Sequence, residues 1–226
     1  MTKILRSELY KLFKSPAPWG IMLGYFLICS LLVRDHYAQM SFFRAAAYPI
    51  PFMLFLQIAL AIFMIGHEFD QRYLQSYVAS GNKRSHIFLG KVLVYLLMSV
   101  GMSVLTLLIY GTVGKVLRGE AIPFENFLFL LPAFVGMCMV PAFLAFVFKD
   151  IGKTLGSGLV FYLVMIICVN KAGVSDKVVF LPFGQPFLVY GDIIPSDITS
   201  LILIDIAWIT VLVVGSYIAF RKSDLK

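Results

Sequence analysis

The chain has 226 residues, of which 60% are hydrophobic, 15% aromatic and only 14% charged, whereas a globular domain carries about 25% charged residues. Its formal net charge is +7. So apolar a composition excludes an ordinary soluble enzyme or binding domain and predicts an all-α integral membrane protein.

Residues 1–15 predict an amphipathic interfacial helix. Met1, Ile4, Leu5, Leu9, Leu12 and Phe13 fall on one half, and Lys3, Arg6, Lys11 and Lys14 on the other. Glu8 intrudes on the apolar half. It belongs either at a helix–helix contact beside a basic residue or against a cytosolic partner. Crossing ~30 Å of hydrocarbon takes about 20 apolar residues, and six blocks come close: 16–33, 48–66, 92–114, 127–148, 154–170 and 200–220. The first is expected to be retained as a span, because no convincing small-x-small cleavage site follows it. Pro49 and Pro51 at the start of the second block, and Pro132 and Pro141 in the fourth, are candidate bends. The fifth block is short and opens with two glycines.

Lys and Arg stay on the cytoplasmic side during insertion. With the N-terminus inside, 13 of the 19 basic residues are cytoplasmic, among them Lys11, Lys83, Arg84, Lys91 and Lys149, and 6 lie outside. Both termini are therefore expected in the cytoplasm. The positive charge is explained by topology and anionic headgroups of the lipid bilayer, so no nucleic acid partner is expected.

Between the second and third spans, residues 66–91 read GHEFDQRYLQSYVASGNKRSHIFLGK. Phe69, Tyr73 and Tyr77 recur at i, i+4, i+8 with Leu74 and Val78 alongside, which predicts one amphipathic helix of about three turns. Ser80-Gly81-Asn82 then supplies a glycine for a left-handed C′ position and an Asn to cap the next helix. The expected element is a cytoplasmic helix-break-helix elbow over 67–91.

Residues 171–199 include VVFLPFGQPFLVY, too short to cross and interrupted by Pro182 and Pro186. A re-entrant or interfacial pair of short external helices is expected, since backbone at that depth must be buried in protein. Two polar residues fall at membrane depth. Asp205 reads either as a surface group reaching water or as a pathway group, and Gln57 either as a pathway group or as an interhelix hydrogen-bonding group.

Chemistry within the chain is not expected. There is no G-x-x-x-x-G-K-[ST], H-E-x-x-H or G-x-S-x-G. His36, His67 and His86 form no ligand cluster, so no metal is expected. Cys29, Cys138 and Cys168 are odd in number and without metal-ligand spacing, and they read as buried apolar packing rather than as a disulfide or zinc site.

Several short stretches together resemble the permease subunits of type 2 ABC transporters. They are E-L-Y-K-L-F-K from Glu8 to Lys14, Glu68-Phe69 at the end of the second span, Ser80-Gly81 with Arg84, Gly90-Lys91, and the basic end FRKSDLK. Where the family often has Gly-Thr after the E-F pair, this chain has Arg72-Tyr73. The resemblance implies that the elbow is a coupling helix seated on a separate cytosolic ATPase, with Glu68, Phe69, Arg72, Tyr73, Tyr77, Ser80, Gly81 and Arg84 as the coupling residues. ATP and Mg would be bound by that partner and no cofactor by this chain. A second permease subunit, like or unlike, would complete the pathway in a bacterial cell membrane. The size resembles half-size exporters of amphipathic peptides, toxins or small drugs, with polysaccharide exporters second. From another class, a membrane scaffold or sensor whose elbow binds a signalling partner has the same outline.

Overall fold

A computed structural model describes residues 2–223 apart from 37, 39, 72, 122, 172–179 and 194–197. Among the described residues there are helices and no strands. Six helical segments are long and apolar enough to cross a membrane. They comprise α2 (Pro16–His36), a composite segment Phe42–Asp70, α7 (Arg84–Arg118), α8 (Phe124–Phe148), α9 (Ile151–Lys171) and α11 (Ile198–Arg221). The chain is thus a multi-pass, all-helical membrane protein.

The composite second span begins at Phe42 rather than at 48. It contains α3 (Phe42–Ala47), a turn at 48–50, one 3-10 turn (Pro51–Met53), α4 (Leu54–Ala61), a π turn (Ile62–Gly66) and α5 (His67–Asp70). Ser41 starts it, its hydroxyl accepting the Arg44 N–H at 3.4 Å. Pro49 and Pro51 fall where α-helix gives way to the turn and the 3-10 segment. Pro132 and Pro141, by contrast, lie inside an unbroken α8.

Other ends follow local rules. Gly119 closes α7 in the left-handed conformation, φ +69°. At the α8–α9 junction the Asp150 carboxylate accepts the Lys153 N–H at 2.7 Å, satisfying a free donor of the first turn.

The second and fourth spans form the interior, with 61% of the residues in their most apolar stretch buried, against 17% in α9 and α11. The outer helices present Leu23, Leu27 and Leu31 on α2 and Leu159, Leu163 and Ile167 on α9 to the surroundings, the dress of a lipid-facing or subunit-facing helix. Cys168, expected to be buried with Cys29 and Cys138, is exposed, because it sits on this outward side of α9. Small residues set the close approaches. A Cβ at Gly158 would lie 2.9 Å from Ile58, and one at Gly215 2.9 Å from Phe143.

The two ends of the bundle differ. One, here the basic end, gathers α1 (Thr2–Lys14), α5, α6 (Tyr73–Ala79), the start of α7 and the end of α11. At the opposite end α10 (Gln185–Tyr190) packs on α3 and α8. The expected external pair of helices is represented by this one helix, and 172–179 and 194–197 lie outside the described residues. Arg44 holds α10: its guanidinium donates to the Tyr190 carbonyl at 3.0 and 3.2 Å and pairs with Asp192 at 3.1 Å.

Candidate functional site

The basic end is where chemistry-bearing side chains converge. The helix α1 buries Ile4, Glu8 and Leu12, a stripe at i, i+4, i+8, so one face of the expected amphipathic helix meets protein. Phe13, expected on the apolar half, is 66% exposed and lies beside Trp19, ring centroids 5.8 Å apart. The contact with α7 is made possible by Gly90, where a Cβ would fall 2.9 Å from the Ile4 Cγ2.

One residue on, Lys91 enters a closed ring of four charges. Its Nζ lies 3.1 Å from a Glu8 oxygen and also contacts the Glu68 carboxylate. Lys11 closes the ring, 3.0 Å from Glu68 and 3.5 Å from Glu8. Two carboxylates and two ammonium groups thus alternate between α1, α5 and α7, with Lys91, Glu8 and Glu68 buried and Lys11 at the edge. Burying any one of these charges alone would be costly, and alternation in a ring offsets that cost. Half-burial works against the charge on Lys11, but its contact with Tyr77 and the charges of Glu68 and Glu8 outweigh burial and hold its pKa above the ordinary 10.5.

The elbow differs in detail from the expectation. Instead of three turns from Phe69, α5 ends at Asp70, the chain turns at Gln71, and a separate two-turn helix α6 runs from Tyr73 to Ala79. Phe69 lies off that helix, its ring packed edge-on to Phe146 and Phe220 in the bundle. Arg72 lies outside the described residues. Leu74 is the buried anchor of α6, whereas Tyr73 is 51% exposed, and Ser76 and Ser80 are exposed beside it. Tyr77 covers the charged ring, its own ring centroid 4.8 Å from the Lys11 ammonium and 5.9 Å from that of Lys91. Its hydroxyl is 3.4 Å from Ser7.

The helix stops as its glycine predicts. Gly81 has φ +81°, its N–H donates to the Val78 carbonyl at 3.0 Å, and the Asn82 N–H reaches back to Tyr77 at 3.3 Å, a Schellman closure. Asn82 does not cap α7. Its side chain donates to the same Tyr77 carbonyl at 3.2 Å, and Lys83 stands at the start of α7 without a side-chain cap. Arg84 donates to the carbonyls of Arg221 at 2.7 Å and Ser223 at 3.0 Å, tying the elbow to the end of the last span.

The two membrane-depth candidates have different partners. Gln57 is fully buried and donates to the Ser103 hydroxyl at 3.4 Å, while Tyr25 lies 3.2 Å from that hydroxyl and Tyr95 donates to the Gln57 carbonyl at 3.3 Å. This is an interhelix polar knot between α2, α4 and α7. Asp205, also fully buried, accepts a hydrogen bond from Gln185 at 2.7 Å. Glu8 takes the first of its two expected places, a helix–helix contact beside a basic residue, while the identity of Lys91 as that residue and the inclusion of Glu68 and Lys11 in one ring were not expected. No group of His, Cys, Asp and Glu among the described residues is arranged to hold a metal. Comparison with known families and with curated proteins finds no match.

Proposed function

We propose that this chain is the membrane-spanning permease subunit of an ATP-driven ABC exporter, coupled through α6 to a separate cytosolic ATPase. The observation that carries the reading is the closed ring of Glu8, Lys91, Glu68 and Lys11 beneath Tyr77. It draws together three of the short stretches on which the resemblance rests: the E-L-Y-K-L start, the E-F pair and the G-K pair. The ring joins the N-terminal helix, the second span and the third span, and α6 is held against it by the Tyr77 ring over Lys11 and by the buried Leu74. A push on the exposed Tyr73, Ser76 and Ser80 surface would therefore reach the spans without being absorbed by a loose loop. On this reading the basic end is cytoplasmic, the protein resides in a bacterial cell membrane, and a second subunit packs on one of the exposed apolar faces. The cargo is an amphipathic peptide, toxin or small drug.

The test is purification from native membranes with whatever accompanies the chain. A stoichiometric P-loop ATPase whose hydrolysis responds to the permease is expected. Recovery of the intact, folded chain with a signalling protein and no ATPase would overturn the reading in favour of a scaffold or sensor.

A further inference from the structure

The pair Asp205 and Gln185 leaves two acceptor atoms unaccounted for. Both residues are fully buried. The Gln185 amide Nε2 donates to Asp205 Oδ1 at 2.7 Å and to the Phe180 carbonyl at 3.2 Å. Two acceptors on Nε2 fix the orientation of the amide, because its oxygen could serve neither. The atoms left over, Asp205 Oδ2 and Gln185 Oε1, are each buried and without a hydrogen-bond partner among the described residues. Both are acceptors when the carboxyl is ionised.

Among the described residues an ionised carboxylate here has only the Gln185 amide to compensate it. Asp205 sits about 10 Å along α11 from its first residue at 1.5 Å per residue, and its neighbours Leu203, Ile204 and Ile206 face outward as apolar side chains. Among the described residues, the elements packed near it bring charges of their own, but none to this carboxyl. The one charged residue of α8 is Glu125, in its first turn. Beyond α10, Asp192 is engaged by Arg44 at 3.1 Å. Of the α7 charges at this end, Lys115 makes no ion pair with Asp205 among the described residues, and Arg118 lies 3.8 Å from Glu120. A buried anion with one neutral donor is strongly disfavoured in such a place.

We propose that Asp205 is a proton-binding site. The carboxyl holds a proton on Oδ2 and donates it to Gln185 Oε1, so that acid and amide form a doubly hydrogen-bonded neutral ring. One proton satisfies both orphaned atoms at once, and no other single ligand of that size removes the charge as well. The ring joins α10 to α11 beside the small apolar contact of Leu188, Leu201 and Ile193. Loss of the proton would place an anion opposite the amide oxygen and open that join. The bound proton is therefore a structural ligand of the end of the bundle opposite to α6. This inference stands independently of the ATPase reading.

Infrared spectroscopy of the protein in lipid nanodiscs tests it. At neutral pH the spectrum should contain a protonated-carboxyl stretch that Asp205→Asn removes, while amide exchange at Gln185–Tyr190 stays slow, because the Asn amide replaces the lost O–H donor. Gln185→Leu should keep the band and move it to higher frequency by removing its hydrogen-bond acceptor. Asp205→Glu, which retains the acid but displaces it, should shift the band and serves if the Asn variant does not fold. Absence of any such Asp205-dependent band at neutral pH would overturn the proposal. If thermal stability then rose with added sodium, the ligand of Oδ2 and Oε1 would be a cation; if it did not, the carboxylate would be ionised with no bound cation.

Discussion

The ammonium group of Lys91 lies 3.1 Å from the carboxylate of Glu8, a residue 83 positions earlier in the chain. That pair pins the N-terminal helix to the start of the third span. Replacing Lys91 with Met leaves two buried carboxylates short of a partner, and removal of one member of a buried ion pair costs about 3 to 5 kcal/mol. A fall in unfolding temperature of the purified protein is expected. Adding Glu8→Gln to Lys91→Met should recover part of the loss, since one uncompensated charge is then removed.

Gly90 and Ile4 make a second, steric test of the same junction. A Cβ at Gly90 would come within 2.9 Å of the Ile4 Cγ2, a branch that cannot swing away without moving its own helix. Gly90→Ala should cost about 1 to 3 kcal/mol as overpacking. Trimming the partner in Gly90→Ala/Ile4→Ala should restore stability beyond the sum of the separate effects. Thermal unfolding of the two single variants and the double variant measures that coupling.

For Lys11 the sign of the pH dependence is fixed by the direction of its shift. Its pKa is held above the ordinary 10.5, so the stabilisation from its charge is complete below 10.5 and is lost as pH rises through the higher folded value. Stability attributable to Lys11 should therefore be flat through neutral pH and decline only in strong alkali. Because its side chain is 43% exposed, salt should weaken the effect. A Lys11→Met comparison of unfolding temperature against pH and salt checks both statements.

Topology is testable with one thiol. Ser76 is exposed on α6, so a Ser76→Cys variant lacking the exposed native Cys168 should resist an impermeant thiol reagent in intact cells and react once the membrane is opened. Labelling in intact cells would invert the orientation inferred from the basic residues.

How far the sequence carried the fold depends on the range of the interactions involved. The six spans were legible because hydrocarbon thickness imposes a length on each one, and the stop at Gly81 was legible because a left-handed cap is a local demand. Phe69 was misread as part of one stripe with Tyr73 and Tyr77. Period alone does not register the turn at Gln71, and nothing local reveals that Phe146 and Phe220 claim the ring. The charged ring was legible only in part: Glu8 on the apolar half of α1 called for a basic neighbour, but which one could not be read, because Glu8, Glu68 and Lys91 meet only after three helices have packed, guided in part by the space at Gly90. Asp205 could be placed in depth but not in direction, and its inward turn toward Gln185 belongs to tertiary structure.

Adjacent residues on α6 separate stability from partner binding. Leu74 is fully buried, whereas Tyr73 beside it is 51% exposed. Leu74→Ala should cost about 2 to 5 kcal/mol of stability through the cavity it leaves. Tyr73→Ala should cost much less stability than Leu74→Ala and leave insertion unchanged, because about half of its surface is exposed. If α6 docks an ATPase, the same Tyr73 change removes an aromatic anchor, and affinity should weaken by about 1 to 3 kcal/mol, or roughly 5- to 150-fold. Two measurements on one sample decide the matter: unfolding temperature, and ATPase retained with its substrate-stimulated hydrolysis. Loss of coupling in Tyr73→Ala, with unfolding temperature lowered far less than in Leu74→Ala, supports α6 as a docking surface. Full coupling at normal expression would mean that the exposed face of α6 contacts nothing that drives transport.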